Sequence, residues 1–307
     1  MTIRVSAPSR LHFSLLDLSG DLGYVDGGMG VAIKLPRTVV KAEPWGELLV
    51  EGPRADEVRS KLSKLGLKGK VTILQTPPPH MGFGSTTQLL LSSAKALASL
   101  NGIDMNSSEL AVLMGRGGTS GIGVRIFEEG GFVYDFGHDI TIKGSPKPSG
   151  ASLASPPPSL RLEFPEDWWF LLVYKEERGL YDERREVREF EERTPIPPEE
   201  SSRTCRIAYM LILGGIVERN YERFVRGINE IQKVGFKKIE LEIQPEYVKE
   251  VMEEVRKVTG NAGLSSMGHL VYSVIPKKKA RKIARQLEID GFKVMITPPD
   301  NEGAKVY

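Results

Sequence analysis

Residues 77–100 read PPPHMGFGSTTQLLLSSAKALASL and hold the densest set of groups able to do chemistry. Three prolines end whatever precedes them, because the ring removes a backbone donor and disfavours helix just before it. Gly82 and Gly84 bracket Phe83 in a tight turn, and Ser85, Thr86 and Thr87 bring hydroxyls to the start of an apolar helix that Asn101-Gly102 closes. A glycine turn opening a helix presents unpaired N–H groups and the positive end of the helix dipole, which suit phosphate. The same pattern also makes an ordinary capped strand-to-helix turn, so other segments must decide.

Three more glycine-rich segments occur. Residues 21–30, DLGYVDGGMG, follow Ser9-Arg10-Leu11-His12-Phe13 and carry Asp26 in a strong turn signal. Residues 116–123, RGGTSGIG, are too glycine-rich for a simple connector, and residues 260–269, GNAGLSSMGH, stand immediately before a strand pattern.

Positioning these segments requires a mixed fold. The first half predicts strands at residues 3–6, 11–15, 31–34, 39–42, 48–51 and 71–74, the helix after the glycine turn, and a second helix over 107–114. Residues 124–127 and 131–136 predict a hairpin around Glu129-Gly130. Residues 143–159, KGSPKPSGASLASPPPS, have a composition that cannot build a core and read as a linker or surface excursion. The second half predicts strands at 168–174, 239–243, 270–275 and 294–297, with helices at 182–193, 199–218, 221–234, 246–258 and 277–290. This alternation, with its late β-α-β run, predicts an α+β sandwich.

The 307 residues allow one large domain or two of ordinary size, and 40% hydrophobic with 27% charged residues is globular composition. A net charge of +2 lacks the basic face that a nucleic-acid partner needs. The single cysteine, Cys205, excludes an intramolecular disulfide or a multi-cysteine metal site and reads as helix packing. No apolar run reaches membrane-spanning length and no signal-peptide pattern opens the chain, so a soluble, cytoplasmic protein is expected.

The ordered segments APSRLHF…DGG, P-x-x-x-G-F-G-S-T and the late glycine-serine turn resemble the GHMP kinase superfamily over nearly the whole chain. The resemblance implies a GHMP-kinase-like two-domain α+β fold. Residues 1–155 would form a domain like the second domain of ribosomal protein S5, carrying the phosphate-binding turn. Residues 156–307 would form a ferredoxin-like α/β sandwich. Many kinases of the superfamily read S-G-x-D in the third segment, where the aspartate meets the substrate hydroxyl. Here Ser120-Gly121-Ile122-Gly123 puts glycine at that place, and glycine cannot accept a proton. Within the superfamily, Thr87-Gln88-Leu89 and the SGIGV…FE…GGF run look like β-ribofuranosylaminobenzene 5′-phosphate synthases.

That likeness implies a pentosyltransferase of methanopterin biosynthesis. It would condense phosphoribosyl pyrophosphate with 4-aminobenzoate or a related aryl acid, releasing pyrophosphate and CO₂ with Mg²⁺; a GHMP-type ATP-dependent small-molecule kinase is the alternative. A homodimer acting on small molecules, without nucleic acid or membrane, is also implied. Arg10, His12 and Asp26 become the expected catalytic residues, with Asp26 and Ser85 as Mg²⁺ ligands. Phosphate and substrate contacts are expected from Gly82, Phe83, Gly84, Ser85, Thr86, Thr87, Arg116, Ser120, Gly121, Gly123, Arg178, Ser265, Ser266 and His269, with Lys175 a further candidate. Arginine at position 10 suits two-point recognition of phosphate or carboxylate. Asp135 and His138, just after a strand pattern, could reach the site but are not assigned to it.

Overall fold

A computed structural model of the chain describes residues 1–147, 152, 154–175 and 183–307. Its first part comprises β1 (Ile3–Asp17), β2 (Tyr24–Glu43), β3 (Leu48–Glu51), α1 (Ala55–Leu62), β4 (Gly69–Gln75), α2 (Ser85–Leu100), α3 (Ser107–Met114), α4 (Ile122–Glu129), β5 (Phe132–Asp135), β6 (His138–Asp139), α5 (Ile140–Lys143) and β7 (Ser159–Leu162). Next come β8 (Trp168–Tyr174), α6 (Glu183–Arg193), α7 (Pro198–Ile207), a π-helical turn (Ala208–Leu213), α8 (Gly214–Val217) and α9 (Tyr221–Ile231). The chain ends with α10 (Gly235–Glu242), α11 (Glu246–Thr259), β9 (Gly263–Leu264), β10 (Val271–Pro276), α12 (Ala280–Gln286), β11 (Lys293–Thr297) and β12 (Lys305–Val306).

Two sheets organise these elements. The first runs β12-β1-β2-β4-β3, with β5 and β6 also on β2 and β7 on β5; the second, antiparallel, runs β11-β8-β10-β9. Strands expected as short pairs are continuous, because the β1–β2 register shifts at bulges without breaking the ladder. Sheet membership does not follow a cut at 155/156, since β7 and β12 both lie in the first sheet. The core is shared as well. Phe13 of β1 stacks on Tyr272 of β10 at 5.4 Å between ring centroids, and Phe224 of α9 meets it edge-on at 6.0 Å.

Two expected strands are helices. Residues 124–127 lie in α4, so the hairpin around Glu129-Gly130 is a helix-to-strand turn. Ile122 and Ile126 pack with Ala32 and Val133, whereas Val124 and Phe127 pack with the cluster around α2. Over residues 124–126 the order Val-Arg-Ile alternates apolar and polar, which imitates a strand. Residues 239–243 belong to the end of α10, where Phe236, Ile239 and Ile243 enter one cluster at helical spacing.

Residues 143–159 are no free linker where they are described. Ser152, Pro156 and Pro157 lie against Gly118, Gly117 and Gly121, each close enough that a Cβ on the glycine would sit 2.6–2.9 Å from them. Cys205 is partly buried, in keeping with a packing role. No described helix is long and apolar enough to cross a membrane.

Because Phe13 joins both sheets, Phe13→Ala should cost about 3–5 kcal/mol and lower one common transition. Thermal melts followed by circular dichroism and by tryptophan fluorescence (Trp168 and Trp169 lie in the second sheet) should coincide; separated transitions would mean independent cores.

Candidate active site

Two of the four glycine segments and strand β1 meet at the hydroxyl of Ser265. Its Oγ donates to the Gly82 carbonyl at 2.7 Å and accepts from the His12 amide at 3.0 Å. Around it, the Arg10 amide donates to Phe83 O, the Leu270 amide to Met81 O, and the Ser266 amide to His12 O. The glycines are required by close approach. A Cβ at Gly82 would lie 2.4 Å from Ser265 O, one at Gly84 2.6 Å from Arg10 Cγ, and one at Gly268 2.1 Å from the Met81 carbonyl carbon. Phe83 serves this turn from below: its ring is buried, edge-on to Tyr174 at 5.1 Å. Beneath the late turn, fully buried Lys237 pairs with Glu240 and donates to Leu264 O at 3.1 Å.

Helix α2 starts from Gly84 in the left-handed region, with no side chain capping its first turn. Its hydroxyls carry cations instead. Arg54 Nη2 donates to Thr86 Oγ1 at 2.7 Å and Arg116 Nε to Thr87 Oγ1 at 3.0 Å, while Ser85 Oγ donates to Pro78 O. Nothing in the sequence points to Arg54. Glu57 grips it at two points, both 2.8 Å, and its Nη1 is left buried without a hydrogen-bond partner. Only folding across 32 residues brings it to α2, so no local pattern marks it. The uncapped helix start with Arg116 beside it favours an anion, while the Arg54 charge is met by Glu57 and its free donor is the buried Nη1.

A second cluster holds the acids. Asp26, at φ +76°, accepts from His138 Nδ1 at 2.8 Å and pairs with Lys143 Nζ through the same Oδ2; its Oδ1 is buried and unpartnered. His138 Nε2 faces Ser155 O at 2.9 Å, so the supposed linker braces the cluster through both Lys143 and Ser155. Burial lowers the Lys143 pKa against the opposing pull of Asp26. Asp135 accepts from Ser120 Oγ and the Gly121 amide, both at 3.1 Å, and from the Gly137 amide at 3.3 Å. Burial pushes its carboxyl up to about 6, with the Ser120 and Gly137 hydrogen bonds opposing and the Asp26 charge adding. His12 is held well below its usual range by burial, then by Arg10 and Lys237, and its Nδ1 has no hydrogen-bond partner. Gly28 lies between them, its missing Cβ 3.4 Å from both His12 Nε2 and Asp135 Oδ2.

These positions change the expected roles. Asp26 does not fit a Mg²⁺ ligand: Lys143 already balances its charge, and its remaining oxygen is sealed from solvent. Among the described residues, no group of three or more His, Cys, Asp or Glu side chains could hold a metal ion. Gly123 lies over α2, where a Cβ would be 3.2 Å from Thr87 Cγ2, so the glycine lets the two helices close. Ser120 and Gly121 are tied to Asp135, and Arg116 to α2. Ser266, at φ +55°, follows the Ser265 junction, but His269 points to Tyr247 Oη at 2.8 Å, and Lys175 lies over the Tyr247 ring. Arg178 lies outside the described residues. A cleft of about 600 Å³ lined by Arg226, Lys233 and Arg256 contains none of the expected residues.

The sequence profile described as "GHMP kinases N terminal domain" matches residues 54–131. The chain is 38% identical over 319 aligned residues to a protein of Methanothermobacter thermautotrophicus named β-ribofuranosylphenol 5′-phosphate synthase, covering 98% of this chain and 97% of that protein. A protein of the same name from Archaeoglobus fulgidus is 34% identical, with 99% of each chain covered. Among solved structures, homoserine kinase from Cytophaga hutchinsonii superposes with a TM-score of 0.67 at 14% identity, over 100% of this chain and 97% of that one, which shows a common fold.

Two outcomes test this geometry. Ser265→Ala strands the buried His12 amide, while the Gly82 carbonyl keeps Arg10 Nη1 at 3.3 Å, and should cost roughly 1–3 kcal/mol in chemical denaturation. Asp135 has a raised folded pKa, so its stabilising contribution is complete below about pH 4 and lost as pH rises through about 6. Relative to the native chain, Asp135→Asn should therefore gain about 3 kcal/mol between pH 4 and pH 7; parallel stability curves would contradict the buried carboxyl.

Proposed function

The chain belongs to the β-ribofuranosylphenol 5′-phosphate synthase family, and from that premise we propose that it transfers the ribosyl 5-phosphate group of phosphoribosyl pyrophosphate to an aryl acid. Pyrophosphate and CO₂ leave in the same turnover. The relatives' name specifies a phenol product, so 4-hydroxybenzoate is proposed ahead of 4-aminobenzoate as acceptor. A place in methanopterin biosynthesis follows from the family resemblance.

The observation that carries this reading is the first turn of α2, uncapped and flanked by Arg54 and Arg116, with Arg10 against its glycine turn. The donor's 5′-phosphate and pyrophosphate need such a concentration of N–H groups and guanidiniums. As pyrophosphate departs, positive charge develops at the anomeric carbon. The ring carbon bearing the carboxylate is para to the electron-donating substituent and attacks there. Loss of CO₂ then restores aromaticity, so the acceptor acts as its own electron sink and no organic cofactor is required. Ser85 remains the expected protein ligand of Mg²⁺, which when bound would offset the negative charge of the donor's pyrophosphate.

A kinase of the same fold is the second reading, favoured by one observation: Asp135 brings a carboxylate to the third segment although position 123 lacks one. The homodimer implied by the resemblance would find apolar surface at Tyr209, Met210 and Val217, all exposed along one helical stretch.

Labelled CO₂ should be released from carboxyl-labelled 4-hydroxybenzoate only when phosphoribosyl pyrophosphate is present. Turnover of ATP without that release would favour the kinase. In calorimetry, Ser85→Ala combined with Thr86→Ala should weaken donor binding at least about tenfold more than aryl-acid binding, the effect of losing roughly 1.4 kcal/mol of donor-specific contact. Equal losses would remove the donor from α2.

A further inference from the structure

A hydroxyl of the third glycine segment and a carboxyl of β5 form a pair whose use is not explained by donor binding. Ser120 is half-buried and its Oγ donates at 3.1 Å to Asp135 Oδ2. Asp135 itself is completely buried on β5, fixed by the Gly121 and Gly137 amides. The serine is thus the pair's outward end and the aspartate its inner end. His12 from β1 approaches the same spot across Gly28, and Asp26 and His138 lie on the neighbouring strands β2 and β6.

We propose that the Ser120–Asp135 pair binds the para-hydroxyl of the aryl acid and takes its proton during ring attack. This rests on the synthase reading and specifies its acceptor as a phenol. The phenolic proton passes to Ser120 Oγ while the serine's own proton passes to Asp135 Oδ2. The resulting phenolate pushes electron density to the carbon bearing the carboxylate. That carbon forms its bond to the anomeric carbon as the C–O bond to pyrophosphate breaks. CO₂ then leaves, its bonding electron pair returns to the ring, and Asp135 returns the proton through Ser120 to the phenolate oxygen. Protons and electrons balance without an oxidant or reductant.

The pair suits this duty for physical reasons. A serine hydroxyl both donates and accepts, so it can bridge a phenol to a carboxylate that is itself out of reach. Asp135 has a pKa raised toward neutrality by burial, which makes it a stronger proton acceptor than an ordinary surface aspartate. Because its three hydrogen bonds all come from the turn at residues 120–121 and from Gly137, its position is set before any substrate arrives. An amino group in the same place already offers its lone pair to the ring and does not need to lose a proton before attack. The pair should therefore distinguish the two acceptor types.

The test compares 4-hydroxybenzoate with 4-aminobenzoate in the native chain, Asp135→Asn and Ser120→Ala. Each variant should reduce kcat with 4-hydroxybenzoate by at least about 100-fold, the usual scale for general acid–base assistance, and with 4-aminobenzoate by less than about tenfold. A merely structural role would depress both acceptors equally, and that result, or no loss with either, overturns the proposal. Equilibrium binding is an independent check. The native chain should bind 4-hydroxybenzoate several-fold more tightly than benzoate, as one added hydrogen bond allows, and Ser120→Ala should abolish the difference. No such preference in the native chain also overturns the proposal. Absence of donor-dependent CO₂ release from the native chain with both acids would instead reject the synthase reading, and the binding comparison would then decide on the pair alone.

Discussion

The Ser265 hydroxyl is the constraint on which the site depends. One oxygen donates to the backbone before α2 and accepts from the backbone of β1, while its own chain lies between α11 and β10. Segments more than 180 residues apart are thereby held in van der Waals contact. Such contact is possible only because Gly82, Gly84 and Gly268 have no side chains. The glycines that suggest a phosphate cradle in the sequence thus have a second reason to be glycine. They let the second sheet's turn lean on the first sheet's helix start, and the α2 amide groups are presented as a consequence.

Around this junction the protein buries several ionisable groups, and each is compensated differently. Lys237 has Glu240 and a carbonyl; Asp26 has Lys143 and His138; Asp135 has three hydrogen-bond donors but, among the described residues, no cation in contact. A buried charge without a counter-ion is costly, and Asp135 responds by a raised pKa. His12, between Arg10 and Lys237, responds in the opposite sense and stays neutral. The site therefore combines fixed positive charge at α2 with two groups, Asp135 and His12, whose protonation has been moved by their surroundings. That division suits a reaction in which an anionic leaving group departs on one side and a proton moves on the other.

The relation to kinases of this fold also becomes physical. A side chain at position 123 would press on Thr87, its Cβ 3.2 Å from Thr87 Cγ2, because α4 and α2 touch there. Thr87 in turn accepts from Arg116. Closing the two helices gathers that cation at the start of α2, and the carboxylate reappears on β5, bonded to the same turn from the other side. Ser152, Pro156 and Pro157 then lie over the turn's glycines, so residues whose composition builds no core still close over the turn.

Much of this was legible without the fold. Apolar strand and helix patterns, the glycine turn before α2, Arg10, His12 and the late serine turn follow from local chemistry, because backbone conformation and burial periodicity are set over a few residues. The missing acid at position 123 was equally plain. The sequence did not announce α4 as a helix, since Val124-Arg125-Ile126 alternates apolar and polar as a strand does over so short a stretch. Nor could it show Arg54 at Thr86, Lys143 on Asp26, or Asp135 beneath Ser120. Each of these is one long-range contact between polar side chains, with no spacing rule to announce it. Residue types and local turns were determined by the chain; which charges neutralise one another, and hence which carboxylate remains able to move a proton, was decided only when the sheets and helices closed and excluded water.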